Sequence, residues 1–109
     1  MKVSGLVQAS GFAVFCRGED REIESGYSGD FLSNIISRAP EGCCWLTVMN
    51  NGNVAAVATL IDCACILLCE GTEPDEPLFQ RANQQGIWVL GTNQNVFEAG
   101  KTVAKLCNV

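Results

Sequence analysis

Three short apolar segments constrain the fold of this chain more than any other feature of the sequence. They span residues 43–49, 65–69 and 87–90. Between them, residues 54–62 carry apolar side chains at helical spacing, while residues 74–85 start with proline and acidic residues and stop at Gly86, as helices do. Strands that are apolar throughout are buried on both faces, and helical crossovers join parallel strands. The sequence therefore predicts a three-layer α/β fold with a mainly parallel sheet flanked by helices.

The flanking segments extend this pattern at both ends. Helices are predicted over residues 2–9, 31–39 and 95–107, and strands over residues 12–16 and 21–27, the second of them polar enough for a sheet edge. Ser28 or Asp30 can cap the helix that Pro40 stops, and Asn95 with Glu98 resembles a capping box. The chain has 109 residues and neither repeats nor a linker, so we expect one domain over residues 1–109.

Charge and hydropathy exclude several classes of protein. The net charge is −5, and the seven basic residues are scattered along the chain, whereas nucleic-acid and anionic-membrane binders concentrate them. No apolar run reaches the roughly 18–20 residues that cross a bilayer, and the first residues do not resemble a secretion signal. We therefore expect a cytoplasmic protein that binds neither nucleic acid nor membranes.

The supply of reactive side chains argues against catalysis. Histidine is absent, which removes the commonest general base and metal ligand. Seven cysteines are present, but Cys65 and Cys69 would lie roughly 13 Å apart along one strand, and Cys43 and Cys44 would face opposite sides. We interpret the cysteines as core residues and predict no cofactor, no bound metal and no catalytic centre.

Two acidic alternatives stay open. Glu70, Glu73, Asp75 and Glu76 could bind Mg²⁺, although charges at a helix start more often stabilise the helix dipole. The chain could also be a small hydrolase that uses acid–base residues such as Asp30, Asp75 or Glu98. We consider a hydrolase less favoured than a binding module.

The loops after the strands are the best candidates for a ligand site. In open parallel sheets, ligands bind beyond the carboxyl ends of the strands, where helix amino termini present amides. The same residue types also form ordinary turns and caps. The candidate residues are Asn51, Gly52 and Asn53, then Gly71, Thr72 and Glu73, then Gly91, Thr92 and Asn93, with Tyr27 and Ser28 at a fourth edge.

The order of short motifs resembles that of a stand-alone DRTGG domain, over about four-fifths of the chain. DRE at 20–22 and SGY at 25–27 take the place of the Asp-Arg-Thr-Gly-Gly pattern, with Ser25 where that pattern has glycine. The motifs that follow are GYSGDFLS (26–33), CWLT (44–47), NVAAVA (53–58), GTEPD (71–75), GIWVLGT (86–92) and FEAG (97–100).

This resemblance implies a fold similar to the amino-terminal domain of HPr kinase/phosphorylase, not to its kinase domain, and the chain has no Gly-x-x-x-x-Gly-Lys-Ser/Thr phosphate loop. It also implies a non-catalytic regulatory or interaction module that binds a small polar or nucleotide-like ligand or a partner protein. The family suggests a homo-oligomer, which we expect to be a homodimer, and Trp45 or Trp88 would favour self-association if its strand faced outward. Stand-alone relatives resemble accessories of hydrogenase-type electron-transfer systems, so a cysteine-based metal-binding or redox accessory protein is the alternative.

Overall fold

The structure, a computed structural model, describes residues 1–109. Its centre is one sheet of five strands: β1 (Ala13–Cys16), β2 (Ser25–Ser28), β3 (Cys43–Thr47), β4 (Cys65–Leu68) and β5 (Val89–Gly91). Their spatial order is β1-β5-β4-β3-β2. The strands β2 to β5 are parallel, and β1 is antiparallel to β5. The predicted mainly parallel sheet is confirmed, with the three apolar strands adjacent to one another and β2 at an edge.

Five helices cover the two faces of the sheet: α1 (Val3–Ser10), α2 (Leu32–Arg38), α3 (Gly52–Ile61), α4 (Glu76–Gln85) and α5 (Val96–Cys107). One apolar core joins α1 and α5 to Leu67 and Leu90 of the sheet. A second core joins α2, α3 and α4 to Trp45 and Ile66. Because neighbouring residues of a strand face opposite sides, strands buried on both faces are apolar at every position. The three-layer α/β fold is thereby confirmed.

Both tryptophans lie inside the protein. Trp45 is 0% and Trp88 3% exposed, so neither strand faces outward and neither ring is available for self-association. Each indole also has a hydrogen-bond acceptor: Trp45 Nε1 donates to the Gly29 carbonyl at 3.0 Å and Trp88 Nε1 to that of Glu19 at 2.9 Å. The large exposed apolar side chains are on helices or beside them instead, and include Phe31, Leu60 and Phe97.

The predicted cap of α2 is wrong. Phe31 occupies the cap position, and no side chain caps the helix. The Asp30 carboxylate lies outside it and accepts hydrogen bonds from Thr47 Oγ1 at 2.6 Å and from the Val48 amide at 2.9 Å. Asp30 therefore binds the end of β3, where a carboxylate forms charge-assisted bonds.

The predicted strand over residues 21–27 is also shorter than expected. Its first part pairs with the amino terminus instead: the Val3 amide donates to the Arg21 carbonyl at 3.0 Å, and the Ile23 amide donates to the Met1 carbonyl at 2.9 Å. Only Ser25–Ser28 joins the sheet as β2. None of the five helices is both long and apolar enough to span a membrane.

Candidate functional site

A cavity of about 460 Å³ opens at the carboxyl ends of β4 and β5. We call it the ligand pocket; it is lined by residues 10–13 with Phe15, by residues 71–73, by residues 91–94 and by Thr102. Because β1 is antiparallel to β5, the start of β1 lies beside the end of β5 and forms one wall. The volume falls within the range of about 300–1,000 Å³ that small-molecule sites occupy.

Two loops form a rim whose main chains are bonded to each other. The Glu70 amide donates to the Gln94 carbonyl at 2.8 Å, and the Gly71 amide donates to the Thr92 carbonyl at 2.9 Å. Gly71 has a φ of 72°, a left-handed conformation that glycine adopts without strain. These bonds fix the spacing of the β4–α4 and β5–α5 loops, so the pocket is preformed.

The floor of the pocket depends on a close approach between a ring and a main chain. A Cβ atom placed on Gly91 would overlap the ring of Phe15, so glycine is required for this packing. Phe12, 9% exposed, adds a second aromatic side chain to the lining. Three of the 13 lining residues are apolar, namely Phe12, Ala13 and Phe15, so the lining is mainly polar.

The polar groups of the rim are mainly uncharged. Glu73 is the one charged residue in the lining, which includes neither lysine nor arginine. Thr102 Oγ1 is 3.2 Å from Gln94 Oε1 and donates a hydrogen bond to it, while Asn93 and Glu73 are exposed at the rim. The rim can thus donate and accept hydrogen bonds, and it carries negative charge.

The structure brings some of the predicted site residues together and separates others. Six predicted residues come together in the ligand pocket: Gly71, Thr72, Glu73, Gly91, Thr92 and Asn93. The prediction omitted the wall formed by the start of β1, including Ala13 and Phe15. A four-residue strand carries no sequence signal for its direction or its neighbour, so this wall could not be placed in advance.

The predicted residues Asn51, Gly52 and Asn53 lie on the neighbouring loop and do not line the pocket. Asn51 caps α3 by accepting a hydrogen bond from the Asn53 amide at 2.9 Å. Gly52 is buried, and its Cα faces the Arg81 guanidinium, whose Nη1 would be 2.7 Å from an added Cβ. This loop supports the pocket indirectly, because Asn50 Nδ2 donates to the Glu73 carbonyl at 2.8 Å.

The predicted residues Tyr27 and Ser28 lie elsewhere. They line a separate groove of about 230 Å³ between β2 and α5, together with Leu46, Gly100 and Val103. The structure thus divides the predicted set among three places, of which the ligand pocket gathers the most residues.

The acidic residues near α4 are spread out. The Asp75 side chain caps α4 by accepting from the Leu78 amide at 2.9 Å, and Glu76 accepts from Gln80 Nε2 at 2.9 Å. No three acidic or cysteine side chains are arranged to bind a metal ion. Capping and helix stabilisation account for Asp75 and Glu76.

All seven cysteines are buried and free, which confirms their prediction as core residues. Burial raises the pKa of the Cys43 thiol to about 11 and that of Cys69 also to about 11. It raises the pKa of Cys63 further. These thiols are therefore protonated at neutral pH and pack as small apolar groups.

Comparison with known proteins gives a match in structure alone. No family model and no curated protein matches the sequence. The fold is similar to a crystal structure of the CBS and DRTGG domains of the regulatory region of Clostridium perfringens pyrophosphatase, complexed with its activator, diadenosine tetraphosphate. The TM-score is 0.78 at 11% identity, and the match covers 95% of this chain but 46% of that one. The expected DRTGG-like α/β fold is thus supported by a solved structure, of which this chain spans about half.

Proposed function

We propose that this chain is a non-catalytic regulatory module that binds a small polar ligand in the ligand pocket. The observation that carries the proposal is the preformed cavity of about 460 Å³ at the carboxyl ends of two parallel strands, where ligands of open α/β sheets bind. The resemblance to the amino-terminal domain of HPr kinase/phosphorylase remains part of this proposal.

The similar fold supports a regulatory role. The structural neighbour belongs to a regulatory region and was crystallised with a nucleotide activator, so nucleotide-like compounds are the first class to test. Glu73 is the sole ionisable side chain in the lining, and none of the lining hydroxyl groups donates a hydrogen bond to its carboxylate. Binding without turnover fits these residues best.

Ligand binding would be communicated through the loops. The main chains of the β4–α4 and β5–α5 loops are joined at Glu70 and Gly71, and the first of them is tied to the β3–α3 loop by the bond from Asn50 to Glu73. A ligand that contacts both loops would therefore bias the position of three helix starts at once. A regulatory module needs such a connection between its ligand and its surface.

The ligand experiment is a thermal-shift and calorimetric screen of nucleosides, nucleotides and other small polar metabolites. Ala13 is an exposed residue of the pocket wall, so Ala13→Trp should fill the pocket and abolish binding. Ala56 is exposed on α3, and Ala56→Trp serves as the matched control that keeps binding. A screen without any saturable ligand, or equal binding by both variants, would contradict the proposal.

We further propose that the module acts as a homodimer through the outer surface of α2 and α3. Ile36 in the last turn of α2 is 47% exposed, and Leu60 in the last turn of α3 is 67% exposed. These two helices pack against each other in one layer, and apolar side chains exposed together mark association surfaces. Light scattering should give a dimer that Leu60→Glu dissociates, whereas Phe97→Glu on the opposite layer should leave it intact; a monomeric parent protein would refute this part.

A further inference from the structure

We propose that the ligand pocket selects an uncharged nucleoside over its phosphorylated forms, an inference that rests on the proposed function and specifies the ligand class. The first observation is electrostatic. Glu73 is the one charged side chain in the lining, and the chain carries a net charge of −5. A phosphate group at this rim would approach a carboxylate with no lysine or arginine in the lining to neutralise it.

The second observation concerns the main-chain donors that usually bind phosphate. In the two rim loops, the Glu70, Gly71 and Thr92 amides already donate to carbonyl groups of the protein. The amide of Gln94 donates to Thr92 Oγ1 at 3.2 Å. Phosphate sites depend on several free amides directed at one point, and these four amides are already bonded within the protein.

The helix starts near the pocket are engaged as well. The side chain of Asp75 caps α4, and the side chain of Asn95 caps α5 by accepting from the Glu98 amide at 2.9 Å. Asp75 also places a carboxylate at the positive end of α4. The favourable potential that the start of α4 offers to an anion is therefore already used by Asp75, and Glu98 places a negative charge in the first turn of α5.

The third observation favours a planar ring with hydrogen-bonding edges. Phe15 supplies aromatic surface, and Asn93, Thr72 and Glu73 supply amide, hydroxyl and carboxylate groups in the same lining. An aromatic surface stacks on a base, the Glu73 carboxylate can accept from an exocyclic amine or a ribose hydroxyl, and the Asn93 amide both donates and accepts. An uncharged nucleoside offers all of these partners.

The size of the discrimination follows from Coulomb's law. A carboxylate and a phosphate of nearly two charges, about 7 Å apart in a solvent-exposed rim, repel enough to weaken binding by about five- to tenfold at low salt. Since the groups are exposed, the difference should shrink as the ionic strength rises.

The experiment measures the dissociation constants of adenosine, guanosine, cytidine and uridine, each beside its 5′-monophosphate, by calorimetry on the full chain. At least one nucleoside should bind about five- to tenfold more tightly than its monophosphate. Glu73→Gln should bring the two within about twofold, and Asn93→Lys, which adds a cation at an exposed rim position, should reverse the preference. Glu19→Gln is the matched control, because Glu19 lies at the opposite end of the sheet, beside Gly86, and its loss should leave the ratio unchanged.

The outcomes separate this inference from the proposed function. Tighter binding of a monophosphate by the parent protein, or a ratio that Glu73→Gln leaves unchanged, overturns the selection proposed here while the regulatory module stands. If the wider screen finds saturable binding of a non-nucleoside compound only, the selection proposed here is likewise overturned while the regulatory module stands. If no compound in either panel binds, the proposed function fails together with the inference.

Discussion

The hydroxyl of Thr47 joins the end of β3 to Asp30, which lies just before α2. Its removal tests whether this contact stabilises the fold. Thr47 is the one polar side chain in the buried set, at 0% exposure. Its Oγ1 donates to the Asp30 carboxylate at 2.6 Å and accepts from the Met49 amide at 3.2 Å. Thr47→Val keeps the shape of the side chain and removes both hydrogen bonds.

The expected cost follows from these two bonds. A hydrogen bond to a charged group contributes about 1.5–3 kcal/mol, and a neutral one about 0.5–1.5 kcal/mol. The Asp30 carboxylate is exposed and can rebind water, so we take the low end of the first range and expect a loss of about 2 kcal/mol in the free energy of unfolding. In urea this corresponds to a midpoint lower by roughly 1 M.

A double-mutant cycle with Asp30→Ala decides whether the two residues act together. If Asp30 bonds Thr47, the double variant should be less destabilised than the sum of the single variants by at least about 1 kcal/mol. If Asp30 were a cap of α2, its loss would be independent of Thr47 and the coupling would vanish. Ser28→Ala is the control, since the Ser28 side chain is exposed and should be within about 0.5 kcal/mol of the parent protein. Additive losses, or a cost of Thr47→Val below about 0.5 kcal/mol, would refute the reasoning.

Three further predictions concern the core and the pocket floor. Gly91→Ala should lower the thermal midpoint by an amount equivalent to about 1–3 kcal/mol, because its methyl group would overlap the Phe15 ring. The control is Gly26→Ala, whose methyl group would meet only a carbonyl oxygen at 4.0 Å and should have a far smaller effect. Equal effects of the two variants would contradict this packing. Trp45→Phe should cost about 2 kcal/mol in urea unfolding, since it removes the bond to Gly29 and leaves a cavity, and an unchanged midpoint would show that the indole is not bonded. Burial raises the pKa of Cys43 to about 11, so the unfolded thiol ionises first as the pH rises, and stability should fall between pH about 8.5 and 11. A rise in stability over that interval, measured by urea unfolding at several pH values, would contradict this expectation.

The centre of the fold could be predicted from the sequence because burial on both faces leaves a simple pattern. In β3 and β4 every residue but Thr47 is apolar, and apolar segments this short, bounded by turn residues, are typical of strands buried on both faces. The same reasoning located α3 and α5 to within two residues at each end, since their apolar positions repeat at helical spacing and Asn51 and Asn95 cap them.

The edges of the sheet and half of the pocket could not be predicted, since they depend on contacts between distant residues. The segment before β2 pairs with Met1 and Val3, a choice that competes with the sheet and that no local pattern reveals. Asp30 has the residue type of a helix cap, yet its strongest partner is Thr47, which the tertiary structure alone brings within reach. The wall formed by β1 is a further case, because the direction of the strand decides which of its ends meets β5.

The pairing of β1 with β5 also sets when during synthesis the pocket can form. These strands are the first and the last in the chain, yet they are neighbours in the sheet. As the ribosome releases the amino terminus first, β1 has no partner until nearly the whole chain has emerged, whereas β3 and β4 can pair earlier. Contacts between such distant segments are slow to form, so the nascent chain is unable to bind a ligand at this site until its final strand is in place.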